Sequence, residues 1–186
     1  HATANRIKET CFWLGFLRGV IESDGILADE LEPLVLHTEQ FLKYFPDDDA
    51  EELLTEMCND WPDVSAEAEG IVETIVEFRS DEIDLEHGYN AKNYFSGFMK
   101  GIACDNVISA DEVGAALAFL SDHPDILQDP KVNDIKEQML GAIDDGHISD
   151  DESEELCSWI SRLVGDSFAD TGLSSSRDKA ATEDFE

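Results

Sequence analysis

The sequence predicts an all-α protein built as two tandem pseudo-repeats of a four-helix unit, each a pair of helix–acidic turn–helix elements. Three observations predict it. Apolar residues recur at helical spacing, at Phe12, Phe16 and Val20 and again at Tyr94, Phe98 and Ile102. No long run alternates β-branched with polar residues, as a half-buried strand would. The stretch "FWLGFLRGVIESDGILADEL" (12–31) also slides without a gap onto "YFSGFMKGIACDNVISADEV" (94–113), an offset of 82 positions. Gly15 then meets Gly97, Arg18 meets Lys100 and Gly19 meets Gly101, which marks a duplication.

The first copy is placed at 4–79, with helices near 4–22, 28–44, 49–59 and 65–79. In the first helix, glycines four apart share one face and invite a second backbone to approach, which offsets their poor helix propensity of about 1 kcal/mol each. Before the second helix, "SDGILADE" combines a capping Asp with a Gly that relaxes the backbone. Its first-turn acids, like those of "DDGHISDDE", are favoured by the helix dipole. "MCNDWPDVSAEAEGIVETIVEF" (57–78), which leads into the fourth, resembles "AIDDGHISDDESEELCSWISRL" (142–163). A connector at 80–90 leads to the second copy at 91–165, with helices near 91–104, 110–122, 131–144 and 150–164. Ser109 with Glu112, and Ser149 with Glu152, have capping-box spacing. "HPDILQDP" (123–130) reads as a Pro-bounded loop, and 166–186 as a flexible acidic tail.

Charge is the unusual property: 44 acidic and 12 basic residues leave a net −32. Such a surface repels nucleic acid and anionic membranes and attracts cations and basic protein faces. Direct nucleic-acid binding and membrane association are therefore not expected. Cys11, Cys58, Cys104 and Cys157 stand apart, with no CxxC pair, so reduced thiols are expected rather than a zinc site. The opening "HATANRIKET" has no signal-peptide core, and a soluble cytoplasmic protein is expected.

The acidic turns invite a calcium test, because an EF-hand loop needs oxygen ligands around an invariant Gly and a bidentate Glu six residues after it. With Gly25 as that Gly, Val20 and Leu31 fall at the first and last loop positions. With Gly146 there, Gly141 falls first and Glu152 last. Neither is an EF-hand. A weaker Ca²⁺ or Mg²⁺ site using Asp144, Asp145, Asp150 and Asp151 is the metal candidate, against the plainer view that these acids are solvated helix termini. Five His residues in separate contexts, and the lack of HExxH, GxSxG or a phosphate-binding Gly loop, argue against an enzyme. Acids clustered in sequence nominate a partner-binding set: Asp47, Asp48, Asp49, Glu51, Glu52, Asp150, Asp151, Glu154 and Glu155.

The run from "GFMKGIACDNVISADEVG" to "CSWISRLVG" (97–165) resembles the helical module found beside BRCT domains in bacterial DNA-ligase-like and exonuclease-like proteins, with 15–79 as a degenerate copy. It is more loosely similar to the TerB-like tellurite-resistance domain, whose paired "DG" turns are acidic. The second copy departs from the pattern, with Asn106 and Val107 where Asp24 and Gly25 stand in the first. Charge and fold together lead to the expectation of a non-enzymatic acidic protein-binding module, a DNA mimic that fills the basic groove of a nucleic-acid-processing protein. The TerB-like resemblance implies the alternative, a divalent-cation-binding stress or signalling module. A salt-adapted helical domain with no specific acidic ligand is the third expectation.

Overall fold

The computed structural model describes residues 2–22, 28–59, 65–103 and 107–171. Among these residues there are eight α-helices and no strand: α1 (Ala2–Val20), α2 (Ala28–Tyr44), α3 (Asp48–Asn59), α4 (Ser65–Arg79), α5 (Gly88–Ile102), α6 (Ala110–Asp122), α7 (Pro130–Ala142) and α8 (Asp150–Thr171). The acidic turn at 23–27, the "DWPDV" turn at 60–64, the "CDN" turn at 104–106 and the tail from 172 lie outside the described residues.

Two boundaries differ from expectation by three residues or more. Helix α5 starts at Gly88 rather than near 91, because Asp84 folds the connector into a turn. Its carbonyl accepts from His87 N (3.2 Å) and Asn90 Nδ2 (3.1 Å), and its carboxylate from Glu86 N (3.0 Å). Helix α8 runs on to Thr171, through the first residues assigned to the tail. No proline interrupts "GDSFADT", and an established helix propagates easily where nothing breaks it. The Pro-bounded loop is a 3₁₀ turn, Pro124–Gln128, anchored by buried Ile126.

Local signals set the helix starts. Ser109 and Glu112 bond reciprocally before α6 (2.9 and 3.2 Å), and Ser149 and Glu152 do the same before α8 (2.8 and 3.1 Å). Asp129 caps α7 on Lys131 N (2.9 Å), with Pro130 at the first helical position. Burial works against the Asp129 charge, yet Lys92 at 2.6 Å and the α7 amides outweigh it and lower the carboxyl's pKa.

Helices α1 and α5 form the centre, and their sequences show it: residues 11–17 and 93–99 are buried without interruption. A helix apolar on every side must be covered on every side. Helices α2 and α4 pack on α1, and α6 and α8 on α5. The most extensive packing among the described residues is α1 against α5. There the glycines act. A Cβ on Gly15 would strike the Tyr94 carbonyl, and one on Gly97 would strike the Phe12 carbonyl. Gly19 meets Phe98 and Gly101, while Gly101 meets Phe16 and Gly19. The register rises together along both helices, so they cross in parallel with backbones in contact. The spacing predicts a close backbone approach, and the structure supplies the partner: the phrases "GFLRG" and "GFMKG" pack on each other.

Two apolar cores flank this crossing. One gathers Trp13, Phe16, Leu34, Leu53 and Val72 from α1–α4, and the other Phe95, Val113, Ile135 and Ile160 from α5–α8. Each takes one buried aromatic from the far side, Tyr94 in the first and Phe12 in the second. Buried polar groups are matched within them: Trp13 Nε1 donates to Thr38 Oγ1 (3.3 Å), and Ile108 N to Ser153 Oγ (2.9 Å).

Candidate protein-binding surface

The structure divides the acids nominated from sequence. Asp47 is a correction: it is buried, not a surface contact. As the residue before α3 its carboxylate turns back to accept from Ala50 N (3.0 Å), which is what a helix cap does. It also accepts from Arg79 Nη1 at 2.7 Å. Asp49 (3.3 Å) and Glu82 (3.4 Å) complete the carboxylates around that guanidinium. Burial opposes the Arg79 charge, but Asp47, Glu82 and Asp49 outweigh it, and the pKa is raised. Trp13 lies beneath, its ring centroid 5.9 Å from Cζ. This knot ties the start of α3 to the end of α4.

The remaining α3 acids do face outward. Asp48, Glu51 and Glu52 are exposed. Asp49, Glu52 and Glu56 recur at helical spacing along one wall of an open cleft of about 670 Å³ between α3 and α4. Its opposite wall, from α4, sets Ile71, Ile75 and Phe78 beside Thr74 and Arg79, with Phe78 67% exposed. Sequence clustering missed Glu56 and Phe78. The signal was present in "GIVETIVEFR", where Phe78 extends the apolar spacing past the core: Ile75 is buried with Val72 and Val76, Ile71 packs on the same core, and Phe78 is exposed.

Asp150, Asp151, Glu154 and Glu155 are exposed on the first turns of α8. They form a separate patch, since α3 packs on α2 and α4 whereas α8 packs on α5 and α7. The metal candidates Asp144 and Asp145 are also exposed. Asp145 is occupied within its own turn, accepting from His147 N (3.2 Å), and Gly146 takes the positive φ of 86° that the turn requires. Among the described residues no group of three His, Cys, Asp or Glu side chains is placed to hold a metal ion, and Asp150 and Asp151 are exposed like Asp144 and Asp145. Among the described residues, too, no helix is long and apolar enough to cross a membrane.

Comparison with family models, curated proteins and solved structures gives no match to this chain.

Proposed function

We propose that this chain is a non-enzymatic acidic protein-binding module that engages the basic face of a nucleic-acid-processing protein, taking the place of DNA. The observation that carries it is the α3–α4 cleft: a carboxylate row of Asp49, Glu52 and Glu56 beside exposed Phe78, on a chain of net charge −32. Carboxylates at helical spacing substitute for phosphates, and steer a basic partner from a distance. The exposed ring supplies a desolvated anchor of the kind that dominates interface energies. The α8 acids extend the negative field on a second patch.

The module is, on this proposal, a duplicated four-helix unit at 4–79 and 91–165. Support comes from the glycine contacts, which are reciprocal at the offset of 82 positions, and from the aromatics Phe12 and Tyr94 exchanged at the same offset. The similarity to BRCT-associated helical modules is consistent with a setting in DNA transactions. Thiols at Cys11 and Cys157, neither of them in a disulfide, suit the reducing cytoplasm.

The test is a pull-down from nuclease-treated lysate with elution first by salt and then by duplex DNA, comparing wild type with a Glu52→Lys/Glu56→Lys variant. The expected result is a basic nucleic-acid enzyme released by DNA and lost by the variant. Retention that ignores both DNA and the two charge reversals would refute the proposal.

A further inference from the structure

We propose that the α3–α4 cleft receives a single amphipathic α-helix of the partner, with Lys or Arg along one stripe and aliphatic residues along the next. The inference rests on the function proposed above and names the element recognised there.

The first argument is pitch. Asp49 to Glu56 on one wall and Ile71 to Phe78 on the other each advance seven positions, about 10 Å of helix. The walls run in opposite directions, since Asp49 at the start of α3 meets Arg79 at the end of α4 (3.3 Å). A third helix laid between them repeats at the same pitch, so cations at i, i+3 and i+7 meet Asp49, Glu52 and Glu56 in step. An extended strand sets same-face residues about 6.7 Å apart, and three of its cations would span about 13 Å and overrun the row.

The second argument is the state of the groups lining the cleft. Arg79 stands at one end, but Asp47, Asp49 and Glu82 already surround its guanidinium. Among the described residues, none bonds the carboxylates of Glu52 and Glu56, so both are left for an incoming cation. Across from them Phe78 is exposed, with half-buried Ile71 two turns before it. An aliphatic stripe beside the cationic one would cover both, and the net charge of the chain would draw such a helix in.

The third argument comes from the counterpart of this cleft in the second four helices. At the offset of 82, Asp49, Glu52 and Glu56 correspond to Lys131, Asp134 and Gln138. With 57–78 laid on 142–163, Ile71, Thr74 and Phe78 correspond to Leu156, Trp159 and Leu163. All six counterparts line hollows along α7 and α8, but there the groove is divided into two, of about 160 and 400 Å³. Trp159, with the Arg162 guanidinium 4.7 Å from its ring centroid, fills the place that Thr74 leaves open. The architecture therefore does not require a continuous groove, and only the acidic copy keeps one, of about 670 Å³. Lys131 for Asp49 and Arg162 for Glu77 also reverse the sign of the counterpart, so the acidity of the α3 row is local rather than a uniform property of the surface.

The probe is an Ala-based peptide of about 16 residues with Lys at i, i+3 and i+7 and Leu at i+1, i+4 and i+8. One control has the same composition in scrambled order, and the other has Pro in place of the Leu at i+4, which breaks the helix. All three carry the same charge, so attraction to the net charge cancels between them. The patterned peptide should bind the ¹⁵N-labelled full chain about tenfold tighter than either control, with saturable shifts at Glu52, Glu56 and Phe78 and helical ¹³C shifts in the bound peptide. Phe78→Ala, at an exposed position, should weaken it about tenfold. Thr74→Trp, also at an exposed position, copies the counterpart and should weaken it at least as much, and both variants should keep the wild-type melting temperature. Equal binding of the three peptides, or wild-type affinity in either variant, would overturn the inference. A partner released by duplex DNA while the three peptides bind alike would refute this inference alone. A patterned peptide that binds selectively, with no nucleic-acid protein released by DNA, would support it and refute only the partner proposal.

Discussion

At the scale of single residues, the acids of this chain are not interchangeable. Asp47 and Asp48 are neighbours in an unbroken acidic run, yet one is buried and the other faces solvent. Asp47→Ala removes a helix cap and strips Arg79 of its closest carboxylate, so it should cost about 2–4 kcal/mol in urea unfolding. Asp48→Ala, by contrast, should stay within about 0.5 kcal/mol of wild type, as exposed substitutions do. Sequence alone could not separate them, because the difference lies in Arg79, which is 32 positions away and reached only through the α3–α4 packing. Cys11 offers a second test. Burial pushes its thiol up to about 12, so it stays protonated and inert in the native protein. It should resist alkylation at pH 8 until the chain unfolds, as read by mass spectrometry of its peptide. The sign of the linkage follows: above the ordinary value of 9.0 the unfolded chain loses this proton and the folded chain keeps it, so stability falls as pH rises from 9 toward 12. A Cys11→Ala variant should lack that part of the alkaline slope.

Among the helices, the same substitution should act with opposite signs at two glycines. Gly15→Ala places a methyl group against the Tyr94 carbonyl, and neither central helix can yield without moving its backbone. A loss of about 1–3 kcal/mol is expected from overpacking, even after the gain in helix propensity. Gly114, in the middle of α6, has nothing within 4 Å of an added Cβ, and Gly114→Ala should stabilise by about 0.5–1 kcal/mol. Thermal unfolding of the two variants beside wild type decides the matter. The contrast explains what was legible in the sequence. Glycines paired at fixed spacing within a repeated phrase announced a backbone crossing, and the Ser-x-x-Glu boxes placed the starts of α6 and α8, because both signals are local or self-repeating. The α3–α4 cleft was less legible. Acid clustering found Asp49 and Glu52 but not Glu56 or Phe78, whose importance depends on two helices lying side by side. The start of α5 was misplaced because Asp84 acts through a turn rather than through helical periodicity.

Over the whole molecule, net charge and central crossing pull against each other. A charge of −32 on 186 residues repels itself, and the described surface offers few cations to relieve it. The melting temperature should therefore climb with sodium chloride and level off near 1 M, where the screening length falls to about 3 Å. A flat response would mean that the repulsion is already neutralised. Against the repulsion stand the exchanged aromatics: Phe12 belongs to the core of the second four helices, and Tyr94 to the core of the first. Neither half owns all the rings that complete it. Covalent continuity through the connector is then not what keeps the halves together, and a nick in the exposed stretch around Glu86 and His87 should leave a non-covalent heterodimer that co-elutes as one species. Separation of those fragments should require denaturant, and mixing them again should restore the original assembly by complementation in trans.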